Sequence, residues 1–297
     1  MSKVSNEELR IRKEEIKKSE KKELQKDQNQ GQKTNSNMIL QVEKLCAGYE
    51  NEQVIKDISF TLSKGEILCL AGESGSGKST VLKALLSFCD TDVMDGDIRI
   101  FDTSVKDLAA KKRAAYCSEK MGVVFQNPGE TFNPIRSYKK QFIETLKSHG
   151  KYNRATFMEQ VEKAFEKVNL KDPQRLLHAC PYALSVGMNQ RMAIVLAILL
   201  EQEILLCDEP TSALDATIAL QVIRELKRLR DECGIAQIIV THDLAMAGYL
   251  ADRIGVMHEG QIVEMGETKE ILQHPKHPYT QSLLAAVPTL NKKEGAK

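Results

Sequence analysis

The stretch from Gly72 to Thr80 constrains this chain of 297 residues more than any other part of its sequence. A glycine, four further residues and then Gly-Lys-Ser follow the spacing of a phosphate-binding P-loop. Glycines let the backbone turn tightly, so successive amides converge on phosphate oxygens at the positive end of the following helix. The predicted phosphate-binding residues are Gly72, Glu73, Ser74, Gly75, Ser76, Gly77, Lys78, Ser79 and Thr80.

The sequence around this loop supports a nucleotide site over a glycine-rich structural turn. Residues Ile67–Ala71 form an apolar run typical of a buried strand, and Thr80–Leu86 has the pattern of a helix. In such a strand–loop–helix unit, Lys78 reaches the β and γ phosphates and the Ser79 hydroxyl binds Mg²⁺.

Composition limits the classes of partner. The 42 basic and 41 acidic residues give a net charge of +1, so no overall field attracts the chain to nucleic acid or to anionic lipid. We therefore expect no nucleic-acid partner. Any other partner is expected to be recognised through local features of the surface. The length allows one large domain or two modest ones.

Neither a membrane span nor a cysteine-based site is predicted. The longest apolar run, Met192–Leu200, is far shorter than the roughly 20 residues that cross a bilayer, and no signal-peptide pattern follows Met1. We expect a cytosolic protein that meets a membrane only through another chain. Seven scattered cysteines with no C-x-x-C pair predict neither a zinc site nor a disulfide framework.

Three segments differ in composition. Residues 1–37 are rich in Lys, Glu, Gln and Asn, which predicts a disordered tail, with a docking arm as the alternative. Residues 38–287 have a globular composition, and 288–297 form a short C-terminal tail. Within the globular part, 127–190 carry helical signals without strand signals, which predicts an inserted helical subdomain.

The globular part opens with strand patterns. Ile39–Leu45 and Val54–Leu62 predict a small antiparallel sheet, to which Gly96–Phe101 adds another short strand. Tyr49 is expected on the loop between the first two. There it could stack on a base or simply pack at a strand end.

Polar side chains follow three further buried strands. Gln126 follows Met121–Phe125, Asp208 and Glu209 end the strand from Ile204, and His242 follows Ile238–Thr241. Ligands bind at the carboxyl ends of strands in α/β sheets. Each side chain also has a non-functional interpretation. These are loop capping for Gln126, simple exposure to solvent for the two acids and a structural role for the histidine.

The two acids are predicted to act separately. Adjacent strand side chains point to opposite faces, so Asp208 and Glu209 are not expected to share a proton. One can hold Mg²⁺ while the other polarises a water molecule. Ser185 is expected as the N-cap of a helix that runs to Leu200.

Taken together, these motifs resemble the ATP-binding subunits of ABC transporters, from about Ile39 to Val287. The P-loop corresponds to Walker A, and the strand Ile204–Glu209 to Walker B. The remaining matches are Tyr49 with the A-loop, Gln126 with the Q-loop, Leu184–Met188 with the signature motif, Ser212–Asp215 with the D-loop and His242 with the switch.

The resemblance implies a fold and a cofactor set. The fold is α/β, a P-loop NTPase of ABC type with a mixed central sheet, an antiparallel β subdomain and an inserted helical subdomain. The cofactors are ATP and Mg²⁺, with Ser79, Gln126 and Asp208 on the metal. Glu209, His242 and Lys78 are the implied catalytic residues, and Tyr49, Ser185, Gly187 and Asp215 complete the implied nucleotide contacts.

It also implies partners. Two ATPase subunits, identical or different, pair head to tail, so that ATP lies between one P-loop and the signature motif of the other. Two membrane-spanning permease subunits bind this pair at the cytoplasmic face of the membrane, and an extracytoplasmic solute-binding protein acts indirectly.

Within the family, the chain is most similar to importers of oligopeptides, dipeptides and nickel. Asn133-Pro134, Met188–Arg191 and especially His277-Pro278-Tyr279-Thr280 carry that similarity. Several peptide-importer relatives have a cysteine cluster after the last motif. This sequence lacks the cluster, so we predict no iron–sulfur centre.

One position departs from the family pattern. The usual signature has two glycines after its serine, whereas here the first is Val186. Branched Val allows fewer backbone conformations than Gly. We therefore expect the site that receives this signature to hydrolyse ATP more weakly than the site that holds this chain's own P-loop.

A carbon–phosphorus lyase accessory ATPase and a mechanical ABC protein of DNA repair or translation are the alternative functions.

Overall fold

The computed structural model describes residues 37–50, 52–86, 91–125, 132–212 and 214–286. The predicted C-terminal tail and nearly all of the predicted N-terminal tail therefore lie outside the described residues. Gln126, predicted as a metal and nucleotide contact, also lies outside them. The described residues from Ile39 onward belong to one compact unit.

Among the described residues, ten strands form two sheets. They are β1 (Met38–Tyr49), β2 (Glu52–Ser63), β3 (Ile67–Ala71), β4 (Asp92–Ile100), β5 (Thr103–Ser104), β6 (Met121–Val124), β7 (Ile204–Asp208), β8 (Ala236–Thr241), β9 (Arg253–His258) and β10 (Gln261–Glu267).

The larger sheet is mixed and has the order β10-β9-β3-β8-β7-β6. Neighbouring strands from β9 to β6 run parallel, and β10 pairs antiparallel with β9 through a tight hairpin. The smaller sheet has the order β2-β1-β4-β5, with β4 antiparallel to both β1 and β5. These sheets confirm the predicted mixed and antiparallel architecture.

In the part of the chain that the structure describes, ten α-helices accompany the sheets. They are α1 (Lys78–Leu85), α2 (Ala110–Lys120), α3 (Tyr138–Ser148), α4 (Phe157–Lys167), α5 (Pro173–His178), α6 (Val186–Leu199), α7 (Ala216–Cys233), α8 (Leu244–Leu250), α9 (Thr268–Gln273) and α10 (Pro278–Ala285). Helices α3–α6 lie between β6 and β7 in the chain. Within the described ranges, no helix is both long and apolar enough to cross a membrane.

The larger sheet separates two hydrophobic cores. Along β3, Ile67, Cys69 and Ala71 belong to the core that includes α3–α8, while Leu68 and Leu70 face the core shared with the smaller sheet and α1. All five β3 residues are fully buried. Because a hydrophobic core covers each face of the sheet at β3, this parallel strand is continuously apolar in sequence.

Two local predictions differ from the structure. Tyr49 ends β1 instead of lying on a loop, because bulges after Glu43 and Cys46 allow β1 to continue pairing with β4 as far as Gly48. Helix α2 was not predicted, because its sequence AKKRAAYCSEK is strongly polar and its few apolar residues give a weak periodic signal.

Candidate functional site

The P-loop joins β3 to α1 and wraps around a cleft of about 310 Å³. The cleft is lined by Val54, Ser74, Gly75, Gly77, Lys78, Ser79, Thr80 and Glu209. Gly77 caps α1 with φ +97°, a conformation that residues with a Cβ rarely adopt. Gly72 is required for a different reason, since a Cβ there would lie 2.3 Å from the Met257 carbonyl oxygen. The loop is thus shaped by close backbone contact with the β9–β10 hairpin.

Lys78 is buried against its own loop. Its Nζ donates to the carbonyl oxygens of Gly72 at 2.9 Å and Glu73 at 2.7 Å, and to Ser76 Oγ at 3.3 Å. Burial lowers the pKa of Lys78, while the carboxylates of Glu209, Asp208 and Glu73 oppose that shift. These contacts fix the ammonium group beside the loop amides, where it can contact bound phosphate.

Ser79 and Asp208 form an oxygen pair at the end of β7. The Ser79 hydroxyl donates to Asp208 Oδ1 at 3.0 Å. Mg²⁺ takes oxygen ligands and usually binds one or two protein groups together with phosphate oxygens and water. Ser79 and Asp208 fit that donor set. Across the described residues, no cluster of three or more His, Cys, Asp or Glu could hold a metal ion.

Asp208 lies in an environment that disfavours its charge. Burial raises its pKa, the Ser79 hydrogen bond lowers it, the nearby Glu209 carboxylate raises it, and Lys78 and Lys83 lower it, with a net upward shift. A cation beside Asp208 would remove much of that penalty.

Glu209 and His242 meet at the same edge of the sheet. His242 Nδ1 lies 3.2 Å from Glu209 Oε2. The Glu209 backbone has φ +43°, and its conformation is fixed because its amide donates to Val240 O while its carbonyl accepts from Ser212. A non-glycine residue rarely has this φ, and such positions concentrate at functional sites.

Tyr49 lies beside the start of α1. Its hydroxyl donates to Thr80 Oγ1 at 3.4 Å, and Lys83 Nζ lies 5.3 Å from its ring centroid. Tyr49 is half-buried at this position.

A second cleft, of about 450 Å³, is lined by Ser185, Val186, Gly187, Met188, Arg191, Leu214, Asp215, Ile218 and Gln221. It contains Ser185, Gly187 and Asp215 from the predicted contacts, and none of its described lining residues also lines the P-loop cleft. Ser185 Oγ caps α6 by accepting from Met188 N at 3.3 Å. The described residues therefore form two separate clefts.

Helix α6 is fastened between the helical segment and the edge of the sheet. Tyr138 donates to Asn189 Oδ1 at 2.6 Å, and Gln190 Nε2 donates to Pro210 O at 2.8 Å, both in buried surroundings. Arg191 pairs with Glu225 on α7 at 2.8 Å. These bonds link the second cleft to the residues that follow Glu209.

Sequence reasoning missed one contact at the P-loop. The Glu73 amide donates to the Tyr279 hydroxyl at 3.2 Å. The motif around Tyr279 was a recognisable signal, but a sequence separation of 206 positions conceals the proximity of the two partners.

Comparison with known proteins gives two family matches. The ABC transporter family matches residues 55–212, and the family described as the oligopeptide/dipeptide transporter C-terminal region matches residues 263–297. The second match covers the segment that contains Tyr279.

The chain is similar to two curated import proteins. It is 35% identical over 240 residues to the oligopeptide transport ATP-binding protein OppD of Lactococcus lactis subsp. cremoris, covering 80% of this chain and 71% of OppD. It is 34% identical over 270 residues to the glutathione import ATP-binding protein GsiA of Escherichia coli O1:K1, covering 86% of this chain. The chain spans 43% of the length of GsiA.

A solved structure shares the fold. The structure of cbiO1 from Clostridium perfringens, part of the ABC transporter complex cbiONQ, has a TM-score of 0.69 and 26% identity. The match covers 79% of this chain and 90% of cbiO1.

Proposed function

Because this chain belongs to the ABC transporter family, we propose that it is the ATP-hydrolysing subunit of an importer. The observation that carries the proposal is the convergence of Lys78, Ser79, Asp208, Glu209 and His242 at one edge of the sheet, next to the P-loop. The proposed reaction is attack of water on the γ-phosphorus of ATP, with cleavage of its bond to the β–γ bridging oxygen.

The residues divide the chemistry between them. The P-loop amides and Lys78 bind the phosphates and stabilise charge in the transition state. Ser79 and Asp208 hold Mg²⁺, which supplies neutralisation of phosphate charge when bound. Gln126 is proposed as a further metal contact. Tyr49 stacks on the adenine.

Glu209 is the proposed group that orients the attacking water and accepts its proton. Its carboxylate is held in place by the fixed backbone at residue 209 and by the contact with His242. His242 also contacts the γ-phosphate, so one imidazole links the base to the transferred group. Removal of a general base typically costs on the order of 10²–10⁴ in rate.

A second ATPase subunit completes each site. The cleft that contains Ser185, Gly187 and Asp215 shares no described lining residue with the P-loop cleft. We propose that this cleft receives the nucleotide bound to the partner's P-loop in a head-to-tail dimer. The second subunit can be the same chain or a different one.

The importer assignment also predicts membrane partners. Ile135 and Tyr182, in the segment between β6 and β7, are 78% and 75% exposed and lie close together, since Tyr182 N donates to Pro134 O. We propose that this surface and Gln126 contact permease subunits at the cytoplasmic face of the membrane. A solute-binding protein delivers substrate from the other side.

Peptides are the proposed substrate class. The match of residues 263–297 to the oligopeptide/dipeptide transporter C-terminal region supports this choice, as do the names of the two curated relatives. Nickel or a metal-chelator complex is the next candidate, from the sequence resemblance alone.

Two experiments test the proposal. Affinity purification of the tagged chain from its native cells should recover hydrophobic membrane subunits, whereas recovery of a soluble enzyme core instead would favour the lyase-accessory alternative. Uptake of labelled di- and oligopeptides should fall in a deletion strain and return with the wild-type gene. If peptide uptake in that strain is normal and nickel uptake is impaired, nickel would replace peptides as the proposed substrate class.

A further inference from the structure

Tyr279 connects the C-terminal segment to the phosphate-binding loop. It lies in α10, and its hydroxyl accepts the hydrogen bond from the Glu73 amide at 3.2 Å. Glu73 itself is exposed at the outer turn of the loop. The contact therefore ties an otherwise solvent-facing backbone group to a separate element of the fold.

Contacts of its ring, of its backbone and of the preceding turn hold Tyr279 in place. It stacks on His258, the last residue of β9, with centroids 3.9 Å apart and an interplanar angle of 26°. The Tyr279 amide donates to His277 Nδ1 at 3.2 Å. Glu264 on β10 accepts from the amides of Lys276 and His277 at 2.8 and 3.0 Å, which anchors the turn that leads into α10.

One peptide plane joins this tyrosine to the P-loop lysine. The Glu73 N–H and the Gly72 carbonyl belong to the same rigid peptide unit. The N–H side donates to Tyr279, and the carbonyl side accepts from Lys78 Nζ at 2.9 Å. Rotation of this peptide would break both hydrogen bonds, so the tyrosine hydroxyl limits where the Lys78 ammonium group can lie.

We propose that Tyr279 is a positioning residue for nucleotide binding, which acts by fixing the Gly72–Glu73 peptide and through it Lys78. This inference rests on the proposed function, because it assumes that the P-loop binds ATP. It gives α10 a role in the ATP site itself. No contact between Tyr279 and the nucleotide is required.

The test compares Tyr279→Phe with Tyr249→Phe in the full chain. Phenylalanine keeps the ring that stacks on His258 and removes only the hydroxyl. Tyr249 on α8 is a matched control, since its ring lies 4.5 Å from Lys227 Nζ and it lines neither cleft. Affinities for Mg-ATP and Mg-ADP are measured by calorimetry, and thermal unfolding checks the fold of each variant.

Loss of one hydrogen bond predicts an increase of about 3- to 10-fold in both dissociation constants for Tyr279→Phe. In the assembled ATPase, KM should rise by a similar factor while kcat stays within about twofold. Tyr249→Phe should match the wild type. His258→Ala, which removes the stack but keeps the hydroxyl, should also weaken binding.

The possible outcomes distinguish failure of the Tyr279 positioning role from failure of the proposed function. If the wild type binds Mg-ATP and Tyr279→Phe binds it equally well, the positioning role is wrong and the proposed function stands. If Tyr279→Phe lowers kcat with KM unchanged, the positioning role is also wrong. If the wild-type chain binds no Mg-ATP, the proposed function fails, and this inference fails with it.

Discussion

At the scale of single residues, two adjacent carboxylates at the end of β7 have different partners. Asp208 accepts from the Ser79 hydroxyl, whereas Glu209 lies against His242. The Glu209 backbone, with φ +43°, departs from the extended conformation on which strand alternation depends. Separate environments allow separate roles in binding a metal ion and orienting water.

Asp208→Asn tests the electrostatics of the residue proposed to bind Mg²⁺. Burial raises the pKa of Asp208, so the folded protein binds this proton more tightly than the unfolded chain does. The stability contributed by Asp208 is therefore fully present at low pH and lost as pH rises through its folded-state pKa. Without Mg²⁺ or nucleotide, the variant should unfold at a higher temperature than wild type near pH 8, with a smaller difference near pH 5.

Thermal unfolding at both pH values measures this effect, and Asp107→Asn provides an exposed carboxylate as the control. A variant less stable than wild type at pH 8 would contradict the assigned sign. The same substitution should weaken Mg²⁺-dependent ATP binding, because it removes a charged oxygen ligand.

Val186→Gly tests the departure in the signature motif. Val186 opens α6 in a helical conformation and is 39% exposed in the second cleft, so its backbone does not need glycine here. Any effect must then come from the branched side chain beside an approaching phosphate. We expect the variant to raise the ATPase rate of the assembled complex, with Val186→Ala intermediate. An unchanged rate in steady-state assays would refute the hypothesis.

At the scale of elements, the helix that follows the D-loop depends on a residue also predicted to contact nucleotide. Asp215 caps α7 by accepting from the amides of Thr217 and Ile218 at 3.0 and 3.1 Å. Its position in the second cleft and its capping bonds give it two possible functions, which substitutions can separate.

Asp215→Ala should lower the free energy of unfolding by about 0.5–2 kcal/mol, whereas Asp215→Asn should retain the cap and the stability. Chemical denaturation of both variants measures the capping contribution. If Asp215 also acts in the dimer, Asp215→Asn should reduce the ATPase rate of the complex despite its normal stability. A fully active Asp215→Asn would limit the residue to capping.

Elements with a strong local signal could be predicted from the sequence, whereas features that depend on bulges or on the packing of distant elements could not. Ile67–Ala71 is observed with the predicted bounds, because an apolar run before a glycine is a strong local signal. The extension of β1 through Tyr49 depends on bulges that its sequence does not mark. The Tyr279–Glu73 contact depends on how distant elements pack.

The polar residues at strand ends were predictable for a related reason. Parallel strands place their carboxyl ends at one edge, so the sequence order of β3, β7 and β8 was enough to bring the P-loop, Asp208–Glu209 and His242 together. The lateral order of these strands, and hence the pairing of Glu209 with His242, required the three-dimensional structure.

At the scale of the whole molecule, the described residues line two different clefts. The P-loop cleft contains Lys78 and Glu209, and the second cleft contains Ser185 and Asp215. Helix α6 and the residues after Glu209 connect them through the Gln190–Pro210 hydrogen bond.

Glu209→Gln tests the central claim most directly. Glutamine keeps the size and hydrogen-bonding capacity of the side chain but cannot accept the proton of the attacking water. We predict that the variant complex binds Mg-ATP like wild type, accumulates as a nucleotide-bound dimer and loses about 10²-fold or more of its phosphate release rate. Phosphate release at the wild-type rate, from a variant that binds ATP normally, would contradict the assignment of Glu209 as the base.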